Sequence, residues 1–154
     1  DPPFDGIIAG TNDDGLNNSD TVSVIWRSNA CGAAVGDVSR AYTVANSVCS
    51  PSLFRDDDGG GGAAANALVE GIENMQILYG EDTTDNGTAN YYVDADTVVT
   101  MSNVVSVRVS LLVRSIDDNL SSVPRDYSYN GATVTPADRR LRRIFTSTIK
   151  LRNR

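Results

Sequence analysis

The sequence predicts a mainly β, antiparallel domain, and three observations carry that prediction. Val105, Val107, Val109, Leu111 and Val113 alternate with Ser106, Arg108, Ser110 and Arg114, the two-residue period of a strand with one apolar face. Phe145, Ser147, Ile149 and Leu151 repeat that period against Ile144, Thr146, Thr148, Lys150 and Arg152, which predicts a closing strand with one buried face. Clusters of Gly, Pro, Asn and Asp separate short apolar runs, and no βαβ alternation is present, which favours antiparallel sheets.

Taken in order, residues 1–20 are rich in turn-forming types and predict no regular structure. Residues 21–27 (TVSVIWR) place Val22, Val24 and Trp26 on one face and predict the first strand. Residues 30–37 break it, and residues 40–44 followed by 47–54 read as a short hairpin. Residues 55–65 (RDDDGGGGAAA) set three acids before four glycines, a low-complexity composition expected to form a flexible surface loop. Residues 68–79 fit a helix through Leu68, Ile72 and Met75, or a strand through Met75, Ile77 and Tyr79. Gly71 tells against an uninterrupted helix and predicts a strand with a bulge. Residues 97–103 predict one helical turn before the strand at 104–114. The polar stretch 115–136 predicts loops and a short hairpin at 127–134 turning at Asn130-Gly131.

At 154 residues the chain suits a single domain, burying about two thirds of its unfolded surface. Net charge is −7, unevenly spread: residues 1–138 hold twenty acids and six bases, and the remainder holds seven bases and no acid. So acidic a body is a poor partner for nucleic acid, whose phosphates need a basic face. No run of eighteen apolar residues occurs. The chain starts at Asp1 rather than Met, and is expected to be a processed product or a piece of a longer protein. It contains no His, which removes the commonest general base and zinc ligand and disfavours Ser-His-Asp or zinc hydrolysis. An enzyme is not expected.

Several residues invite a site reading. Asp82, Thr84, Asn86 and Gly87 fall where a D-x-[DN]-x-[DN]-G calcium loop needs oxygen ligands and a sharp turn, with Asp94 close by. Thr84 stands where an acid is usual, and the twelfth position is Val93 rather than Glu, so the segment is either a degenerate Ca2+ loop or a turn between strands. No other cofactor is indicated. The two cysteines, Cys31 and Cys49, are spaced for a disulfide in an oxidising compartment, worth about 3 kcal/mol on loop-entropy grounds. Tyr91 and Tyr92 point to opposite faces of any strand, which leaves one of them, with Tyr92 as the candidate, free to touch a partner. Lys150 and Arg152, on the outward side of the closing strand, are candidate contacts for an acidic neighbour, or else pair with the chain's own acids. The glycine run 59–62 lacks a following Lys-Ser/Thr and is no phosphate loop.

Residues 68–82 (LVEGIENMQILYGED), 102–115 (SNVVSVRVSLLVRS) and 141–154 (LRRIFTSTIKLRNR), in that order and spacing, resemble the C-terminal half of PilW-type minor pilins of type IV pili. They are more remotely similar to the J-type minor pseudopilins of type II secretion. The resemblance implies a pilin-like β-sheet head and an N-terminal apolar helix upstream of Asp1 as the sole membrane attachment. It implies a subunit that waits at the inner membrane and periplasm and then joins the extracellular pilus. There it is expected to prime assembly with other minor pilins and the major pilin, and to support a tip adhesin, adhesion and twitching motility. A reading from a different class is an extracellular calcium- or carbohydrate-binding module on the same β scaffold.

Overall fold

A computed structural model of the chain describes residues 7–11, 19–28, 36–47, 50–57 and 66–151. Eleven strands occur among them: β1 (Ile7–Thr11), β2 (Thr21–Ser28), β3 (Gly36–Asn46), β4 (Pro51–Asp56), β5 (Asn66–Glu70), β6 (Ile72–Glu81), β7 (Tyr91–Val93), β8 (Val104–Arg114), β9 (Tyr127–Tyr129), β10 (Ala132–Val134) and β11 (Arg142–Lys150). Two 3-10 turns, Ala95–Thr97 and Met101–Asn103, occupy the place of the single helical turn expected before β8. No helix among the described residues is long and apolar enough to cross a membrane.

The strands form a five-stranded antiparallel sheet ordered β1-β2-β3-β4-β5, a four-stranded antiparallel sheet ordered β11-β8-β6-β7, and the β9–β10 hairpin. The hairpin turns at Asn130 (φ 49°) and Gly131 (φ 76°), the positive pair that a two-residue turn matched to strand twist requires. Between the sheets lies a core of Val44, Ile72, Met75, Ile77, Tyr79, Val104 and Val107, with Val22, Tyr42 and Leu53 packed on it from the five-stranded side. Period-two alternation on β6 and β8 supplies one wall of this core, and β2, β3 and β4 supply the other.

Gly71 is more than the expected bulge, because it hands the chain from one sheet to the other. Its N–H donates to the Pro51 carbonyl of β4 (2.8 Å), and its own carbonyl accepts from the Arg114 N–H of β8 (2.8 Å). Its φ is 81°, and a Cβ there would lie 2.6 Å from the Arg114 oxygen, so both backbone conformation and space demand glycine. A second tie joins the sheets just ahead of β2. The Met75 N–H donates to Ser19 Oγ (3.1 Å), the Asp20 N–H to the Met75 carbonyl (2.7 Å), and the Ile77 N–H to Asp20 Oδ2 (2.5 Å). Ser19 and Asp20 thus satisfy the stretch of β6 that lies short of its pairing with β7.

Three expectations need correcting. Residues 1–20 are not wholly irregular, since β1 pairs with β2 from Ile7 opposite Ile25 to Thr11 opposite Thr21. A five-residue edge strand between turn-formers has too short a period to read, and its pairing with β2 decides its conformation. The segment 55–65 does not begin as a loop: Arg55 and Asp56 complete β4, and Asp57 accepts both Arg40 (3.0 Å) and Arg55 (2.9 Å); residues 58–65 lie outside the described residues. The closing strand has no buried face, as described next.

Candidate interaction surface

Three rows of side chains in register cross the core-facing side of the four-stranded sheet. They run Met75-Leu111-Phe145, Ile77-Val109-Ser147 and Tyr79-Val107-Ile149, each from β6 through β8 to β11. Burial falls along every row. Met75, Ile77 and Tyr79 are 1–3% exposed, the β8 residues are buried or half-buried, and Phe145 and Ile149 are 56% and 53% exposed. The five-stranded sheet covers β6 and stops short of β11. The alternation in residues 144–151 is therefore real, but the face it marks continues the core beyond its cover. Exposed Leu141 lies just before the strand and exposed Ile144 on its other side.

An ion network fixes one end of this strand. Arg142, with only 7% of its side chain exposed, donates from Nε to Glu73 Oε2 (2.7 Å) and from Nη2 to Glu73 Oε1 (2.9 Å). It also donates from Nη1 and Nη2 to the two oxygens of Asp138 (2.6 and 2.9 Å). Arg114 reaches Glu73 Oε1 (3.1 Å), and the Arg142 guanidinium lies 5.4 Å from the Tyr127 ring. These bonds from Arg142, aided by Arg140, hold the Asp138 carboxyl down at about 2, against a smaller opposing effect of burial. Arg140 donates further to the carbonyls of Ser115 and Ile116, and Arg139 to the Asn119 side chain. Much of the basic tail is thus spent internally. Arg143 and Lys150 make no ion pair with any of the described residues.

At the other end, residues 81–100 wrap around buried carboxylates. Glu81, 1% exposed, accepts the Tyr91 hydroxyl (2.9 Å) and the N–H groups of Val99 (3.4 Å) and Thr100 (3.1 Å). Burial pushes its pKa up, but these donors outweigh it and hold the carboxyl below its ordinary range. Asp82 likewise accepts the N–H groups of Gly87 (2.5 Å) and Thr84 (3.0 Å) and is held low against its burial. A shallow cavity of about 400 Å³ lies between this loop and the end of β11, lined by Asp82, Asp85, Gly87, Val105, Lys150 and Leu151.

The structure gathers only some of the residues singled out above. The Thr84 hydroxyl donates to Asp82 Oδ1 (3.3 Å) rather than pointing outward, and Asn86 Oδ1 accepts the Thr88 N–H (2.9 Å). The Asp94 carbonyl accepts the Thr97 N–H (3.0 Å) at the start of a 3-10 turn. Among the described residues, no three His, Cys, Asp or Glu side chains gather as a metal-binding group. Lys150 stands where the loop opens, an unfavourable neighbour for a cation. Tyr92 is half-buried: its hydroxyl meets Ser106 Oγ (3.0 Å) and its ring lies under Arg108 (3.9 Å), while Tyr91 is the more exposed of the pair. Cys31, Cys49 and Arg152 lie outside the described residues. Sequence reasoning missed Glu73, Glu81 and Asp138. Their one signal was an acid inside or beside an apolar strand, with arginines at hand to neutralise two of the three.

Comparison with known proteins places this architecture. The family model described as Type IV Pilus-assembly protein W matches residues 41–153. Among solved structures, the fold is similar to that of the type IV-like pilin TTHA1219 from Thermus thermophilus, with a TM-score of 0.55 and 16% identity over 98% of this chain and 84% of that one. No curated protein matches the chain. The matched span runs from within β3 to just past β11 and takes in the four-stranded sheet, β4, β5, the Gly71 corner and the Arg142 network; the chain belongs to the type IV pilus-assembly protein W family.

Proposed function

We propose that the domain is the head of a minor pilin, which primes type IV pilus assembly from the periplasmic side of the inner membrane and then sits at the filament tip. Its partners there are other minor pilins, the major pilin and an adhesin, and its contribution to adhesion and twitching is made through contacts rather than catalysis. The observation that carries this reading is the family match across residues 41–153, on a domain whose apolar sheet face runs out from under its cover at Phe145 and Ile149. A subunit of a filament needs such a face, because exposed apolar surface is stable only when a neighbour or another segment covers it.

Deletion of the full-length gene tests the proposal. The expected outcome is a sharp fall in surface pili and in twitching, restored by the wild-type gene and poorly restored by a Phe145→Asp, Ile149→Asp version. Normal piliation and motility in the deletion strain would sink the reading.

A further inference from the structure

Strand β11 ends the four-stranded sheet, and among the described residues no strand lies beyond it. The parity of its bonding says which main-chain groups are left over. The Leu151 N–H donates to the Val105 carbonyl (2.9 Å) and the Ser115 N–H to the Leu141 carbonyl (2.8 Å). Both are odd-numbered positions of the tail in register with β8, so Arg143, Phe145, Ser147 and Ile149 spend their main-chain groups on β8. The N–H and C=O groups of Arg142, Ile144, Thr146, Thr148 and Lys150 therefore face the open edge. Nine residues of edge are long for a sheet margin, and Arg142–Lys150 contains neither proline nor glycine to interrupt it.

We infer that this edge accepts an extended segment of a partner protein as a fifth strand, and that the segment is apolar at alternate positions and acidic at both ends. The chemistry of the occupant follows from three features. Phe145 and Ile149 are exposed on the core-facing side, so a strand laid beside β11 covers them with every second side chain. Arg143 near one end and Lys150 at the other are exposed cations without an ion-pair partner among the described residues, and each can meet a carboxylate of the added strand. A second copy of β11 is the wrong occupant: it carries no acid, so antiparallel pairing centred on Thr146 sets Lys150 opposite Arg142 and Arg143 opposite Ile149, and both exposed cations are left without a carboxylate at both ends. The same two charges that invite an acidic strand exclude a basic one. The inference rests on the reading above only in taking the domain to act through protein contacts, and it is tested without a pilus.

The probe is a capped eight-residue peptide, Asp-Val-Thr-Val-Thr-Val-Thr-Asp, which laid antiparallel sets its aspartates opposite Lys150 and Arg143 and its valines opposite Ile149, Ser147 and Phe145, beside a twin in which Lys replaces both Asp. Binding is followed by calorimetry, and amide hydrogen exchange is read on the whole chain. The acidic peptide is expected to bind at least about tenfold more tightly than its twin, the difference that reversing two cross-strand charge pairs produces. It is expected to slow exchange at Ile144, Thr146 and Thr148 while leaving Phe145, Ser147 and Ile149, already protected by β8, unchanged. Thr146→Pro removes an outward N–H that the fold does not use and is expected to abolish binding. Arg143→Glu with Lys150→Glu is expected to invert the peptide preference, and needs no proline. Equal binding of the two peptides, no binding at about 1 mM, or unaltered exchange at the even positions would overturn the inference. So would a dimer dissolved by Thr146→Pro, which would give the edge to a second copy. A piliation defect in the deletion strain survives each of those failures, so the two readings fall separately.

Discussion

Arg142 on β11 and Glu73 at the start of β6 form a two-bond ion pair that passes over the intervening strand β8, at 2.7 and 2.9 Å. The pair pins an edge strand to the centre of its sheet. Truncation of either partner leaves the other charge in a site that admits little water. Arg142→Met is expected to lower stability by about 3 kcal/mol, and Glu73→Gln by less, because Asp138 still satisfies half of the guanidinium. Chemical denaturation of the two variants against wild type checks the order; equal and small losses would show that solvent reaches the pair.

The Asp138 carboxyl titrates at about 2 in the folded chain, below its ordinary value of 3.8, because Arg142 donates two hydrogen bonds to it. A depressed folded pKa means that the stabilisation is fully present above pH 4 and is lost as pH falls through the window from about 4 to about 2. Asp138→Asn removes that contribution at every pH, so its stability profile is flatter through the window. The expected difference at neutral pH is on the order of 1–2 kcal/mol, vanishing near pH 2. Thermal midpoints measured from pH 2 to 7 give the comparison.

Tyr79 is 1% exposed, and its hydroxyl meets no hydrogen-bond partner among the described residues. Burial, reinforced by the nearby Asp20, pushes its ionisation up to about 12. Tyr79→Phe removes an unpaired polar group without emptying the core, and is expected to leave stability unchanged or raise it by up to about 1 kcal/mol at neutral pH. A raised folded pKa places the wild-type loss between pH 10 and 12, and the Phe variant is expected to escape that share of it.

Asp82 organises its own loop by accepting N–H groups from Gly87 and Thr84. Asp82→Ala is expected to lower the thermal midpoint by the same few degrees in excess chelator as in millimolar calcium, since the bonds lost are internal. A midpoint for the wild-type chain that rises with calcium, and does so only while Asp82 is present, would make the loop a metal site.

The strands β8 and β11 and the β9–β10 hairpin were readable because alternation, or an Asn-Gly turn between short apolar runs, is written into consecutive residues. What lay beyond reading was set by distance along the chain. Phe145 and Ile149 carry the pattern of a buried face, and only the extent of the opposing sheet decides that nothing within the described residues covers them. Glu73 looked like an interruption of an apolar run because its partner is sixty-nine residues away. The Asp82 segment held the composition of a calcium loop, and the direction of its carboxylate, inward to Gly87, is a matter of backbone turning that composition does not express. The pilus family was legible from three separated segments, and the residues that carried it sit on β5, β6, β8 and β11, the strands that meet at the Gly71 corner and the Arg142 pair.

The corner at Gly71 also bears on how the head carries a load. A pilus is pulled, and a two-sheet protein under tension can part at the seam between its sheets while each stays intact. Here a single residue, Gly71, is bonded through its N–H to Pro51 and through its carbonyl to Arg114. Shearing one sheet past the other therefore strains the main chain itself rather than only the apolar contacts between them. The two sheets are expected to yield together or hold together, which is what the proposed place in a filament would ask of the domain.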